Sequence, residues 1–190
     1  MTLHVNKVGL RVLGIAESFR RNLPRSRLSG VVMRGDLRID GVATTNITVG
    51  GDDATDGILR IFRRLDRLDI NALLLNGDVI SWFNIVDPLL LWKELGLPVI
   101  SLSYEESPAG LEGYIREYFP DPDEKLIRYR KLGPRQTMRL RTGYEVYLRA
   151  TGASADEARA LLNRFTMDGR VPEPLRVARL IARSILLGVD

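Results

Sequence analysis

The chain is 190 residues long, 45% hydrophobic and 27% charged, which fits one globular domain over residues 1–190 and excludes a disordered chain. It has no cysteine and one histidine, His4, which excludes disulfides and thiolate zinc sites and leaves the oxygen ligands that Mg²⁺, Mn²⁺ or Ca²⁺ prefer. The net charge is +4 and all but four of the 28 basic residues are arginines, a bias that fits a nucleic-acid partner and equally fits genome composition or a hot habitat.

The first 49 residues are predicted to form three antiparallel strands. Alternation and β-branched residues predict a strand over residues 10–16. Residues 19–29 carry Pro24 and several arginines and are interpreted as a loop. Residues 30–34 and 37–42 then form a predicted hairpin, whose second strand runs on to residue 49.

A helix is predicted directly after Asp53, because apolar residues recur at helical spacing. One face carries Ile58, Ile61, Phe62 and Leu65, and another carries Arg60, Arg63, Arg64 and Arg67. The basic face has two interpretations. It is a solvated surface balanced by Asp66 and Asp69, or it is a stripe that contacts phosphate.

The central part of the chain predicts a βαβ unit. Residues 70–75 form an apolar run suited to a central parallel strand, and residues 84–95 have helical spacing that ends at Gly96. Residues 98–102 form a second buried strand, reached by a right-handed crossover. With the preceding meander, this order predicts an α/β fold with a mixed sheet, the plan of ribonuclease H-like nucleases.

The second half is predicted to be mainly helical. Residues 109–119 and 124–131 have helical character, residues 144–149 alternate like an edge strand, and a capping box at Ser154 opens a helix through residue 165. Pro174 starts the last helix. That helix is predicted to pack Val177, Leu180, Ile181 and Ile185 and to expose Arg176, Arg179 and Arg183. We expect a core in residues 8–120 and a helical extension in residues 121–190.

Acidic or amide side chains follow three of the predicted strands. In chain order they are Glu17, Asp52, Asp53, Asn76 and Asp78. Carboxylates gathered at strand ends repel one another by roughly 4 kcal/mol per close pair at an effective dielectric near 20, so a site that holds them together usually contains a cation. The sequence therefore predicts a Mg²⁺ (or Mn²⁺) site.

Residues near these strand ends suggest substrate contacts. Trp82 and Phe83 follow the central strand, where they stack on a base flipped from the duplex or plug the core. Asn84 contacts substrate or caps the helix that begins there. Residues 50–51, both glycine, permit a close approach of phosphate or metal-bound water, or form a bulge.

Several stretches resemble the archaeal endonuclease dU family, a distant relative of endonuclease V. They are residues 12–15 (VLGI) before an acid, 30–35 (GVVMRG), 51–55 (GDDAT), 75–77 (LNG), 83–87 (FNIVD), 97–100 (LPVI) and 172–178 (PEPLRVA). They span nearly the whole chain. The resemblance implies a ribonuclease H-like fold and a Mg²⁺-dependent endonuclease acting on DNA with deaminated bases such as deoxyuridine.

The same resemblance implies roles for individual residues. Glu17 falls at the acid that ends the first strand, and Asp53 falls at the acid near the start of the first helix, although a helix cap is an alternative role for Asp53. The third acid of endonuclease V is replaced here by Asn76, a neutral ligand. Asp78 or Asp87 is then expected to complete the site.

We therefore predict a metal-dependent endonuclease with Glu17, Asp53 and Asp78 as catalytic residues and with Glu17, Asp53 and Asn76 as metal ligands. The predicted substrate-binding residues are Trp82, Phe83, Asn84, Arg60, Arg64 and Arg176. Expected partners are DNA, with RNA as an alternative, and a second copy in a homodimer. We expect no membrane partner and a cytoplasmic location, because no apolar run is long enough to span a bilayer. Two alternatives stay open, a nucleic-acid-binding protein without catalysis and an oligomeric scaffold.

Overall fold

The computed structural model describes residues 3–105 and 110–188 of the chain. Over these ranges the strands are β1 (Arg11–Ser18), β2 (Arg25–Arg34), β3 (Ile39–Thr48), β4 (Ala72–Leu75), β5 (Val79–Ile80), β6 (Asn84–Ile85), β7 (Val99–Ser103), β8 (Gln136–Arg139) and β9 (Glu145–Thr151). The helices are α1 (Ala54–Leu65), α2 (Pro88–Leu95), α3 (Leu111–Tyr118), α4 (Pro122–Lys131), α5 (Ala155–Phe165) and α6 (Glu173–Leu187).

Seven of the strands described form one mixed sheet in the order β3-β2-β1-β4-β7-β9-β8. The strands β1, β2 and β3 are antiparallel, whereas β4 lies parallel to both β1 and β7. This arrangement confirms the predicted α/β fold, with an antiparallel meander joined to parallel strands. The strands β5 and β6 form a separate two-stranded hairpin.

Helices cover both faces of the sheet, because successive side chains on a strand point to opposite faces. Leu13 and Leu73 pack with α1 and α2 on one face. Val12, Leu74 and Phe165 pack on the other face, where α5 and α6 lie. Among the described residues, no helix has the length and apolarity needed to cross a bilayer.

The boundaries of the first two strands differ from the prediction. β1 continues to Ser18, so Glu17 lies within the strand and not after it. β2 begins at Arg25, so the prediction of a loop over residues 19–29 was wrong in its second half. There Ser26 and Leu28 are fully buried between more exposed arginines, a period-2 pattern that the arginine content hid.

The helix predicted over residues 84–95 starts later than expected. Asn84 belongs to β6, and α2 begins at Pro88 after Asp87, whose side chain accepts a hydrogen bond from the Leu90 N–H at 2.9 Å. Proline is favoured at a first helical position because its fixed φ suits the helix. The predicted end is confirmed, since Gly96 has the left-handed φ of 65°.

The second half contributes strands as well as helices to the fold. β9 was predicted as an edge strand, but it pairs with both β7 and β8. The edge strand β8 was missed because Met138 is its one buried residue among polar neighbours. The capping box of Ser154 and Glu157 is confirmed by both of its hydrogen bonds. α3 begins at Leu111, and Ala109 of the predicted helix lies outside the described residues.

The last helix turns a different face to the sheet from the one predicted. Leu175, Ala178 and Ala182 are buried, whereas Leu180 is 55% and Ile185 36% exposed. The helix approaches β1 so closely that a Cβ at Gly14 would lie 2.6 Å from the Pro174 backbone. Small residues therefore face the sheet, a selection that hydrophobicity alone does not predict.

Candidate functional site

Glu17 is a partly buried carboxylate with weak hydrogen bonds at the carboxyl end of β1. The Ser81 N–H lies 3.4 Å from Oε1, and the Ser26 hydroxyl lies 3.5 Å from Oε2. Both distances are long for a hydrogen bond. Burial raises the pKa of Glu17 above its usual value, while the Ser81 N–H and the charge of Arg179 oppose the rise. No ion pair of Glu17 is found among the described residues.

Asp53 is by contrast a well-bonded carboxylate. Oδ1 accepts from the Thr48 N–H at 2.9 Å and from Asn84 Nδ2 at 2.8 Å, and Oδ2 accepts from the Thr48 hydroxyl at 3.1 Å. Arg25 lies 3.9 Å from Oδ2. Burial acts to raise the pKa of Asp53, but these donors outweigh it and hold the pKa below the usual range. Asp53 is therefore ionised at neutral pH.

Asn84 joins the start of α1 to the end of β3. Its side chain is fully buried. Oδ1 accepts from the Ala54 N–H at 2.9 Å, and Nδ2 donates to the Thr48 carbonyl at 2.9 Å and to Asp53. Asn84 thus caps α1, not the helix that follows it in sequence, and Asp53 makes no side-chain cap bond. This amide fixes the position of the Asp53 carboxylate.

Ser81, Trp82 and Phe83 have φ values of 47°, 61° and 60°, the left-handed region. That conformation costs non-glycine residues roughly 1–2 kcal/mol each, and such strain concentrates at functional sites. The Ser81 carbonyl accepts from the Gly50 N–H at 2.8 Å while its N–H faces Glu17. The strained turn therefore contacts both segments that carry predicted metal ligands, the end of β1 with Glu17 and the loop before α1 with Asp53.

Aromatic contacts surround the strained turn. The Arg21 guanidinium lies 3.5 Å from the centre of the Trp82 ring, and Tyr118 meets the same ring edge-on at 5.1 Å. Phe83 packs edge-on against Phe119 at 5.7 Å. Trp82 and Phe83 are both partly exposed. The two interpretations of this aromatic pair, stacking on a base and plugging the core, both stay open.

Lys125 was missed by the sequence interpretation. Its buried ammonium donates to the Gly51 carbonyl at 2.9 Å, the Phe83 carbonyl at 3.0 Å and the Asp52 carboxylate at 2.8 Å. Residues 50–51 were predicted to permit a close approach of phosphate, but the Lys125 ammonium already lies against one side of this backbone. The one sequence feature that could have singled out Lys125 is that nearly all other basic residues of the chain are arginines.

Asn76 and Asp78 separate after the end of β4. The Asn76 N–H donates to the Ile15 carbonyl at 3.0 Å, so Asn76 lies beside the end of β1 near Glu17. The Asp78 side chain is only 3% exposed and pairs with Arg149 of β9 at 2.7 Å. Among the described residues, no group of three or more acidic or histidine side chains is placed to hold a metal ion.

The predicted basic stripe of α1 is bonded to the edge of the sheet. Arg60 donates to the Asn46 carbonyl at 3.0 Å and Arg64 to the Thr44 carbonyl at 2.5 Å. These carbonyls belong to the edge strand β3, which such contacts protect from pairing with other chains. Arg176 is held by Glu173, one turn away on α6. These three predicted substrate contacts all have protein partners.

A cavity of about 850 Å³ lies beside the site, between α2, α4 and β9. Its charged lining combines four acidic side chains with three basic ones. They are Asp52, Asp56, Asp87 and Glu124, and Arg128, Lys131 and Arg149. The acidic side chains disfavour a phosphate backbone here, because like charges repel.

Comparison with known proteins identifies relatives over nearly the whole chain. A family model described as endonuclease dU matches residues 8–186. A UPF0215 protein from Pyrobaculum calidifontis is 36% identical over 176 residues, covering 91% of this chain and 95% of its own. A crystal structure of an Archaeoglobus fulgidus protein of unknown function has a TM-score of 0.81 at 26% identity, covering 93% and 98% of the two chains.

Endonuclease V has the same fold. The Ciona intestinalis enzyme, crystallised with a DNA 24-mer containing inosine followed by ribo-adenosine, has a TM-score of 0.65 at 15% identity, covering 97% of this chain and 88% of its own. At that identity the likeness establishes the fold alone. The predicted ribonuclease H-like architecture is thereby confirmed.

Proposed function

The chain belongs to the endonuclease dU family, and from this premise we propose that it is a metal-dependent endonuclease. Its substrate would be DNA that contains deaminated bases such as deoxyuridine. The family and the endonuclease V-like fold indicate a nuclease that acts on DNA. The observation that carries the finer proposal is Glu17, a partly buried carboxylate at the carboxyl end of β1 that forms no ion pair within residues 3–105 and 110–188.

The donors at this end of the sheet fit a hydrated Mg²⁺ or Mn²⁺ ion. Mg²⁺ is usually held by one or two carboxylates, with waters and substrate phosphates completing its shell. Glu17 has weak hydrogen bonds only. Asp53 accepts four hydrogen bonds from three donors, because the Thr48 N–H is shared between Oδ1 at 2.9 Å and Oδ2 at 3.2 Å, and an ion bound at Oδ2 would replace the longer of these two. These two carboxylates, with the amide oxygen of Asn76, would hold the ion.

When bound, such an ion lowers the pKa of a water ligand and stabilises the charge that develops on the attacked phosphate. The protein's part is to keep Asp53 ionised and fixed through Asn84 and Thr48. Arg25, 59% exposed beside Asp53, is placed to contact the phosphate backbone. Trp82 is proposed to stack on an unpaired base. Asp78, ion-paired with Arg149, takes no part in this step.

The test is nicking of labelled DNA strands that contain uracil, hypoxanthine or no lesion, with and without Mg²⁺. We expect Mg²⁺-dependent cuts in the lesion strands. Asp53→Asn should abolish them, and because it also weakens the charge-assisted bonds from Thr48 and Asn84, cleavage is compared at a temperature where circular dichroism shows both proteins to be folded. Asp56→Asn is the matched control, because Asp56 is an exposed carboxylate one turn along α1. Cleavage by Asp53→Asn at the rate of the native protein would refute the assignment.

A second candidate is a nucleic-acid-binding protein that has the fold without catalysis. It is favoured by Asn76, an amide where the resemblance places a carboxylate, and by the lack of a three-acid cluster among the residues described. Steeply salt-dependent binding of DNA or RNA without cleavage in Mg²⁺ or Mn²⁺ would support it. If the protein binds neither DNA nor RNA at low salt, the oligomeric scaffold is favoured. Analytical ultracentrifugation would then detect the homodimer.

A further inference from the structure

A small cavity lies at the carboxyl ends of β4 and β7, next to the candidate metal site. Its volume is about 70 Å³, and its polar lining comes from Asp78, Ser101, Ser103, Arg135, Tyr147 and Arg149. Ligands of open α/β sheets bind outside the carboxyl ends of parallel strands. The cavity therefore lies where a bound molecule is expected, yet the hydrolysis proposed above uses none of these side chains.

Asp78 has an unused acceptor in this cavity. Oδ2 accepts from Arg149 Nη1 at 2.7 Å. Oδ1 is buried and has no hydrogen-bond partner among the described residues. A buried carboxylate oxygen without a donor is costly, so native proteins rarely leave one unpaired. The geometry indicates a site that receives an N–H or O–H donor from outside the chain.

Two guanidinium groups lie near that acceptor. Arg149 is held by the Gly133 carbonyl and by Asp78. Arg135 Nη1 donates to the Ser103 hydroxyl at 2.5 Å and to the Glu105 carbonyl at 3.1 Å. Burial, followed by the charge of Arg149, lowers the pKa of Arg135. Hydrogen-bond acceptors from a ligand would relieve the repulsion between these two cations.

We propose that Asp78 and the two arginines recognise the hydrogen-bonding edge of a deaminated base. Deamination converts a ring nitrogen acceptor into an N–H donor and replaces the neighbouring amino group by a carbonyl. Uracil and hypoxanthine therefore present an N–H beside a carbonyl, which matches an acceptor flanked by cationic donors. Cytosine and adenine turn a lone pair toward the same carboxylate, which repels it. Thymine and guanine present the same edge as uracil and hypoxanthine, so this contact separates a deaminated base from the base it derives from, and not from thymine or guanine. Recognition of this edge requires a base outside the duplex.

The dimensions of the cavity agree with recognition of an edge. A group the size of a water molecule requires a cavity volume of about 10–15 Å³, so the volume of about 70 Å³ holds roughly five such groups. Gly77 lines the cavity with a φ of 100°, a backbone conformation that favours glycine. This inference rests on the proposed function, because it names the base that the substrate carries.

The test measures binding and not cleavage, by fluorescence anisotropy of labelled single strands in EDTA. The strands carry one central uracil, cytosine or N3-methyluracil and otherwise contain only adenine and cytosine, because thymine and guanine offer the same N–H and carbonyl as uracil. We expect the native protein to bind the uracil strand at least tenfold more tightly than the other two. The methylated strand changes only the N–H that Asp78 would accept, so it tests the inference without any substitution.

Two variants complete the test. Asp78→Asn should bind all three strands with the affinity that the native protein has for cytosine. Asp156→Asn, an exposed carboxylate on α5, should keep the uracil preference. Equal affinity of the native protein for uracil and N3-methyluracil would overturn the inference, as would an undiminished preference in folded Asp78→Asn. A uracil preference without nicking in Mg²⁺ would support base recognition by Asp78 and refute the endonuclease. Nicking without a uracil preference would support the endonuclease and refute base recognition by Asp78.

Discussion

Replacement of Asn84 by leucine should destabilise the protein strongly, because this fully buried amide makes three hydrogen bonds. Leucine has a similar size but leaves the Ala54 N–H, the Thr48 carbonyl and the Asp53 carboxylate without this partner. Neutral hydrogen bonds contribute about 0.5–1.5 kcal/mol each, and bonds to charged groups contribute about 1.5–3 kcal/mol. We therefore expect a loss of about 3–5 kcal/mol in the free energy of unfolding.

Urea unfolding followed by circular dichroism measures this loss. With a slope of about 2 kcal/mol/M, typical of small proteins, the midpoint should fall by roughly 2 M. Asn163→Ala is the control, because the Asn163 side chain makes one hydrogen bond, from the Arg141 N–H at 2.8 Å, and should cost about 1 kcal/mol. A loss below 1 kcal/mol in Asn84→Leu would refute the view that this amide joins β3 to α1.

Three further predictions concern groups around the same site. Lys125→Met should lower the free energy of unfolding by about 1–3 kcal/mol, because the partly buried Gly51 and Phe83 carbonyls lose their donor. Lys131→Met, at an exposed position, should change it by less than about 0.5 kcal/mol. Burial raises the folded-state pKa of Glu17 above 4.5, so the native protein loses stability as pH rises through that pKa. In urea unfolding with EDTA, the free energy of unfolding of Glu17→Gln should therefore equal that of the native protein at pH 4 and exceed it at pH 8. A variant less stable than the native protein at pH 8 would contradict this. Ser81→Gly should stabilise the folded protein by about 1 kcal/mol in thermal unfolding, because glycine adopts a left-handed φ without strain and the buried, unpartnered hydroxyl is removed. A less stable variant would contradict the view that this turn is strained.

Features with a local cause were predictable from the sequence. The periodicity of α1 and the stop at Gly96 depend on residues a few positions apart, and both are confirmed. The buried strand after Ile70 is likewise confirmed as the central parallel strand β4. The placement of Asp53 at the start of α1 followed from the same local pattern.

The remaining features depend on contacts between distant residues. Asn84 caps a helix that begins 30 residues earlier, and Lys125 reaches loops more than 40 residues away. Arg64 has the helical spacing of a solvated residue but bonds the edge strand. Spacing along the chain indicates which face a residue occupies and not which partner it meets, so these roles required the three-dimensional structure.

The central claim is that Glu17 and Asp53 together bind one divalent cation. Titration of the protein with Mn²⁺, followed by the electron paramagnetic resonance signal of the free ion, tests it most directly. We predict one bound ion in the native protein and in Asp56→Asn, with the bound fraction lost in both Glu17→Gln and Asp53→Asn. Unchanged Mn²⁺ binding in these two variants, or no binding to the native protein with or without a DNA strand, would contradict the claim.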